Sequence, residues 1–196
     1  DASTGSTCEL IYEILQPHVK ICKDIAEALY MGIVSDTGIF RYTATKPKTM
    51  RIVAYLMEVG IDFGTIQQRV MHSRTKVENA IFTRALQNIK FLDGITYTIV
   101  SQSDLNQTGA DYANLDGIAE HLMNIAGTKA AIFFTERTNG RIKASFRGRD
   151  VDVNIVATAF GGGGHKFAAA ASFESDLNEG IARVLAHLQK VVNGDV

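Results

Sequence analysis

The chain has 196 residues, 46% of them hydrophobic, and 20 basic against 21 acidic side chains for a formal charge of −1, an ordinary globular composition sufficient for one large domain or two small ones. That balance excludes a disordered chain and gives no global positive field for duplex DNA, so an anionic partner must be held by a local cluster, as a small phosphorylated molecule or a short oligonucleotide would be. Cys8 and Cys22 are too few for a disulfide framework or a four-thiolate zinc site, and no apolar run approaches the roughly 20 residues of a membrane helix, so the expected location is the cytoplasm, with no membrane partner.

The first residues, "DASTGSTCELIYEIL", begin without methionine and pass almost at once into an amphipathic helix, with Ser and Thr available as N-caps and Leu10, Ile11, Ile14 and Leu15 on one face. This start reads like the middle of a domain. "CKDIAEALYMGIVSDTG" predicts a second helix with Ala26, Leu29, Ile33 and Val34 as its apolar stripe. "TKPKTMRIVAYLMEVG" predicts a third, with Pro47 in its first turn and Gly60 as the left-handed residue after its last.

From Asp62 to Phe91 the apolar positions Ile66, Val70, Val77, Ile81, Ala85 and Ile89 keep helical spacing, which predicts a long helix with a break near His72 and Ser73, bridging two lobes. The pattern then changes. "GITYTIVSQ", "KAAIFFTER" and "RIKASFRGR" are rich in β-branched and aromatic residues, and the "TNG" between the last two predicts an antiparallel hairpin. "NLDGIAEHLMNIAG" and "DVDVNIVATAF" are helical by period, "AAAASFE" is a strand, and "SDLNEGIARVLAHLQKVV" closes as a helix with Asp176 and Glu179 at capping-box spacing. Without clean βαβ repetition, the region from residue 92 onward is expected to be an α+β lobe.

Three stretches carry chemistry. In "AFGGGGHKFAAAAS" a single glycine after Phe160 would satisfy a helix C-cap, but Gly161, Gly162, Gly163 and Gly164 exceed that need and point to positive φ angles or to something else approaching the backbone closely. Bare amides there can form an anion-binding nest, with His165 and Lys166 adding donors. The run is not a Walker loop, because Phe167 follows Lys166 where Ser or Thr is needed, nor a dinucleotide fingerprint, because a helix enters it where a strand should. In "RIKASFRGRD" alternation puts Lys143, Ser145, Arg147 and Arg149 on one face, either a solvated edge or one wall of a phosphate or base pocket shared with the glycines. In "GIVSDTGIFRYT" Asp36 follows an apolar helix and precedes a tight Thr-Gly turn; the helical context argues against an aspartic protease.

Asp36 in "GIVSDTGIFRY", the long connecting segment and "SFRGRDVDVNIVATAFGGGGHKFAAAAS" together resemble the DHH phosphoesterase superfamily, in particular its nano-RNase and 3′-phosphoadenosine-5′-phosphate phosphatase branch with a DHH-associated C-terminal domain. The resemblance implies an α/β (α+β) fold in two lobes: residues 1–60 from the C-terminal part of the catalytic lobe, 61–91 as helical linker, and 92–196 as substrate-binding domain. It also implies two manganese ions in the intact enzyme, with Asp36 as the last metal-binding aspartate, and substrate gripped across a cleft by Arg147, Arg149, the glycine run 161–164 and His165. The chain reads Ala169-Ala170-Ala171 where the family usually has Ala-Ala-Gly.

No Asp-His-His occurs in the sequence, and Asp36 alone cannot hold a metal pair, which normally needs several carboxylates and histidines around ions about 3.5 to 4 Å apart. The chain is therefore expected to lack roughly the first third of the parent protein and to be inactive alone. The activity implied for the intact enzyme is hydrolysis of short oligoribonucleotides, of 3′-phosphoadenosine-5′-phosphate, or of both. The alternatives are a linear or cyclic dinucleotide phosphodiesterase and a nucleotide-binding module without catalysis. A homodimer is compatible with the sequence, which does not fix the oligomeric state.

Overall fold

The computed structural model describes residues 4–41, 44–72 and 74–195. The chain divides between residues 73 and 74 into two compact units.

The first unit is helical: α1 (Thr7–Leu15), α2 (Lys23–Asp36), α3 (Pro47–Glu58) and α4 (Phe63–His72). Ser6 is the N-cap of α1, its hydroxyl accepting from the Cys8 amide at 3.1 Å. Pro47 opens α3, and Gly60 follows it with φ +94°. Ala26, Leu29, Ile33 and Val34 of α2 bury against Ile52, Val53 and Leu56 of α3. The stripe expected on α1 does not form the core: Ile11 and Ile14 are 41% and 66% exposed, while Glu9 is buried. Helical period alone placed the apolar residues inward. The Glu9 carboxylate instead accepts from the Thr49 hydroxyl of α3 at 3.0 Å, a polar pairing that lets that face of the helix turn in.

The long helical stretch, expected with a break near His72 and Ser73, is two helices, α4 ending at His72 in the first unit and α5 (Lys76–Gln87) in the second. Ser73, at the expected break, lies outside the described residues. Thr75 restarts the helix with a capping box: its hydroxyl accepts from the Glu78 amide and its amide donates to the Glu78 carboxylate.

The second unit is built on a six-stranded sheet in the order β1-β2-β3-β4-β6-β5, from β1 (Lys90–Leu92), β2 (Ile95–Val100), β3 (Ala130–Glu136), β4 (Arg141–Gly148), β5 (Gly163–His165) and β6 (Ala168–Glu174). Only β2 and β3 pair in parallel; the intervening crossover holds α6 (Gln102–Thr108), a 3-10 turn (Tyr112–Leu115) and α7 (Ile118–Met123). The β3–β4 hairpin forms as expected. β1, which pairs antiparallel with β2 through an Asp93-Gly94 turn, and the short β5 were not anticipated from the sequence.

Strand alternation splits the side chains cleanly. One face carries Ile132, Phe134, Ile142, Ala144, Phe146, Ala169 and Ala171 and is sealed by α8 (Val153–Ala159) and α9 (Leu177–Asn193). The other face carries Val100 and Phe133, which pack with Ile81, Phe82 and Ala85 of α5, Leu115, and Ile118 and Ala119 of α7. Lys143, Ser145 and Arg147 stand on this second face, in register with Thr135, Phe133 and Ala131 of β3.

Candidate functional site

The glycine run does two jobs in succession. Gly161, with φ +73°, and Gly162 close α8 as a Schellman cap: the Gly161 amide donates to Thr158 and the Gly162 amide to Ala157, at 3.0 and 2.8 Å. Gly163 to His165 then become an edge strand against β6. The expected nest of four bare amides is therefore not what forms, because the first two amides are engaged by helix carbonyls. Close backbone approach explains the rest: a Cβ on Gly162 or Gly164 would stand 2.1 or 2.6 Å from the Ala170 or Ala168 carbonyl oxygen. Gly163 meets no such obstacle. Its nearest neighbour is Asn154 Oδ1, a buried acceptor with no hydrogen-bond partner.

Register brings the arginine stripe and the glycines onto one surface. Arg147 of β4 and His165 of β5 are each opposite Ala168 of β6, and Ser145 and Gly163 are each opposite Ala170. Opposed residues in a sheet project to the same side, so Arg147 and His165 flank a floor of small side chains, two strand spacings or about 10 Å apart at the backbone. His165 is exposed, as are all four glycines.

The two arginines differ from a free cationic stripe. Arg147 donates from Nε and Nη2 to one oxygen of Glu120 on α7, at 2.9 and 2.6 Å, and from Nη1 to the Phe146 carbonyl. Arg149 lies beyond the end of β4, and its Nη2 donates to the Met123 carbonyl at the last turn of α7, at 2.9 Å. Both residues thus clasp α7, one by its carboxylate and one by its carbonyl end. Glu120 was not foreseen, since nothing in its helical segment marks it as an arginine partner.

Asp36 is exposed at the last turn of α2, and its Oδ2 accepts from the Ser6 hydroxyl at 2.7 Å. The turn after it is unusual. Gly38, Ile39 and Phe40 have φ of 56°, 59° and 62°, a left-handed stretch that costs a β-branched residue such as Ile39 about 1 to 3 kcal/mol. The buried Thr37 hydroxyl holds the turn, donating to the Ile33 carbonyl at 2.6 Å and accepting from the Phe40 amide. Among the described residues no group of three His, Cys, Asp or Glu could hold a metal ion. Asp36 with a neutral hydroxyl beside it does not make a site for a manganese pair.

Among the described residues, no helix is long and apolar enough to cross a membrane. A Mycoplasma genitalium protein described as uncharacterized protein MG371 is 33% identical over 174 residues, covering 87% of this chain and 52% of the relative. The bifunctional oligoribonuclease and PAP phosphatase NrnA of Bacillus subtilis is 28% identical over 183 residues, covering 89% of this chain and 57% of that enzyme. The chain spans about half the length of these curated relatives. Among solved structures, an exopolyphosphatase-related protein from Bacteroides fragilis superposes with a TM-score of 0.89 at 24% identity, over 96% of this chain and 57% of that one, a likeness of fold. The model of the DHHA1 domain matches residues 93–194, the span that carries strands β2 to β6, the clasped arginines and the glycine run. The chain thus belongs to the DHHA1 domain family.

Proposed function

We propose that the protein acts in the hydrolysis of phosphate esters in short oligoribonucleotides, in 3′-phosphoadenosine-5′-phosphate, or in both, and that the second unit holds the nucleotide. The observation that carries this reading is the row Arg147–Ala168–His165, in which two donors face the same side of the sheet across a methyl group. A phosphate or ribose can rest on that low floor while cationic and imidazole N–H groups reach it from either side. Gly163, whose added Cβ would meet nothing closer than 4.0 Å, extends the floor without a side chain in the way.

Within this reading Arg147 binds rather than reacts. Two of its donor atoms are fixed by Glu120, which holds the guanidinium plane before any ligand arrives and lowers the ordering cost of binding. Arg149 acts at one remove, by pinning the end of α7. His165 donates a hydrogen bond to a phosphate oxygen. Asp36 would give one oxygen donor to a manganese ion, and a pair of ions needs several more.

The relative from Bacillus subtilis, named for action on oligoribonucleotides and PAP, supports the substrate class. The test is an assay of the intact protein on a ladder of short RNAs and on 3′-phosphoadenosine-5′-phosphate, with and without manganese. Metal-dependent release of mononucleotides or of phosphate, impaired by Arg147→Ala, is the expected result. No turnover of any member of either class contradicts the reading.

A further inference from the structure

On the same face of the sheet, displaced from the glycine run, lies a cleft of about 150 Å³ between β4 and the 3-10 turn. Lys143 and Ser145 of β4 form part of its floor, Tyr112 a wall, and Arg137, at the mouth of the β3–β4 hairpin, its rim. The wall is held rigidly: the Tyr112 hydroxyl accepts from Gln102 Nε2 at 2.6 Å and from the Thr138 amide at 3.0 Å, and the Arg137 guanidinium stacks 3.9 Å above the Tyr112 ring. Stacking leaves the N–H edge of Arg137 unused. Neither the Arg137 guanidinium, the Lys143 ammonium nor the Ser145 hydroxyl has a hydrogen-bond or ion-pair partner among the described residues.

The charges favour an anion. Arg147 and Glu120 of the lining neutralise each other, which leaves two cations, Lys143 and Arg137, against one carboxylate, Asp116. The volume is too small for a whole nucleotide, since ligand pockets of drug size run from about 300 Å³ upward. Donors converging from a strand, a hairpin and a side-chain hydroxyl suit a tetrahedral group with several acceptor oxygens better than a flat base. Register sets the distance: Ser145 and Gly163 share a row two strands apart, about 10 Å, so one ligand can reach both places.

We propose that this cleft is a phosphate subsite for a terminal phosphate monoester on a nucleotide whose body rests on the Arg147–His165 floor. The inference rests on the nucleotide-binding reading above and deepens it: the preferred ligand carries an end phosphate in addition to its internal ones.

The test is a binding titration of the full chain with three RNA trinucleotides: AAA, AAA with a 5′-phosphate, and AAA with a 3′-phosphate. One of the phosphorylated forms is expected to bind at least about tenfold more tightly than AAA. Lys143→Met and, separately, Arg137→Gln are expected to bring that form down to the affinity the same variant shows for AAA, so that binding of AAA reports an intact fold. Equal affinity for all three ligands, or a preference that survives in both variants, overturns the subsite and leaves the nucleotide-binding reading standing. Failure of the chain to bind any of the three overturns that reading and the subsite with it.

Discussion

Arg147 and Glu120 come from different elements, a strand and a helix 27 residues apart in sequence, yet one Glu120 oxygen accepts from both Nε and Nη2 of the arginine. That fork presets the guanidinium beside the small-residue floor. Glu120→Gln is expected to keep the fold and weaken nucleotide binding less than Arg147→Ala, which removes a charge-assisted contact and should cost about 1.5 to 3 kcal/mol of affinity. Titration of both variants with a short RNA checks the order; no loss at all in Glu120→Gln would show that the arginine needs no positioning.

The glycines of the run are expected to differ sharply under substitution by alanine. At Gly161 the added Cβ meets open space and the penalty is that of a left-handed φ, about 1 kcal/mol. At Gly162 it would stand 2.1 Å from the Ala170 oxygen, so β5 must move off β6 or the cap must open. Thermal melts should therefore rank Gly162→Ala well below Gly161→Ala; the reverse order would contradict the close approach of the two strands.

Burial of Glu9 makes Thr49 a structural residue of the first unit. Thr49→Val keeps shape and removes the hydroxyl that donates to the carboxylate, leaving a buried acceptor unpaired at a cost of about 1 to 3 kcal/mol. Chemical denaturation of the variant checks this, and an unchanged midpoint would mean that Glu9 has found another donor.

The α5 cap carries a pH signature. The Thr75 backbone amide, followed by its side chain, lowers the Glu78 carboxyl below its ordinary value. A depressed folded value means the carboxylate stabilises the protein above the unfolded-state value, about 4.3, and that this contribution is lost as pH falls through the folded value. The Tm difference between the wild type and Glu78→Gln should be present at pH 7 and vanish at acid pH. A difference independent of pH would assign the effect to packing.

Much of the fold is legible in the sequence where pattern and punctuation agree. The α2 stripe, Pro47 and Gly60 around α3, and the Thr-Asn-Gly hairpin all combine period with a turn residue, and all form as read. Asp93-Gly94 carried an equally good hairpin signal, but the three-residue β1 before it was too short to show alternation. On α1 the apolar pattern misled because a buried carboxylate with a hydroxyl partner 40 residues away decides the inward face. The same limit governs the site. Strand alternation placed Lys143, Ser145 and Arg147 together, whereas Glu120, Tyr112 and Arg137 join them only through tertiary packing that no local spacing encodes.

Binding and chemistry are expected to separate in this chain. Under the proposed function, the Arg147–Ala168–His165 row holds the nucleotide, and among the described residues no cluster of metal ligands accompanies it, so the 196-residue chain is expected to bind short RNA without hydrolysing it. Manganese-dependent release of mononucleotides by this chain alone would show that the reaction does not need a ligand set beyond Asp36.

The most direct measurement is a crystal structure of the chain with a bound RNA trinucleotide. Density for a phosphate or ribose over Ala168, between the Arg147 guanidinium and the His165 imidazole, is the result expected. An ordered trinucleotide on any other surface, with that row facing solvent, would contradict the account.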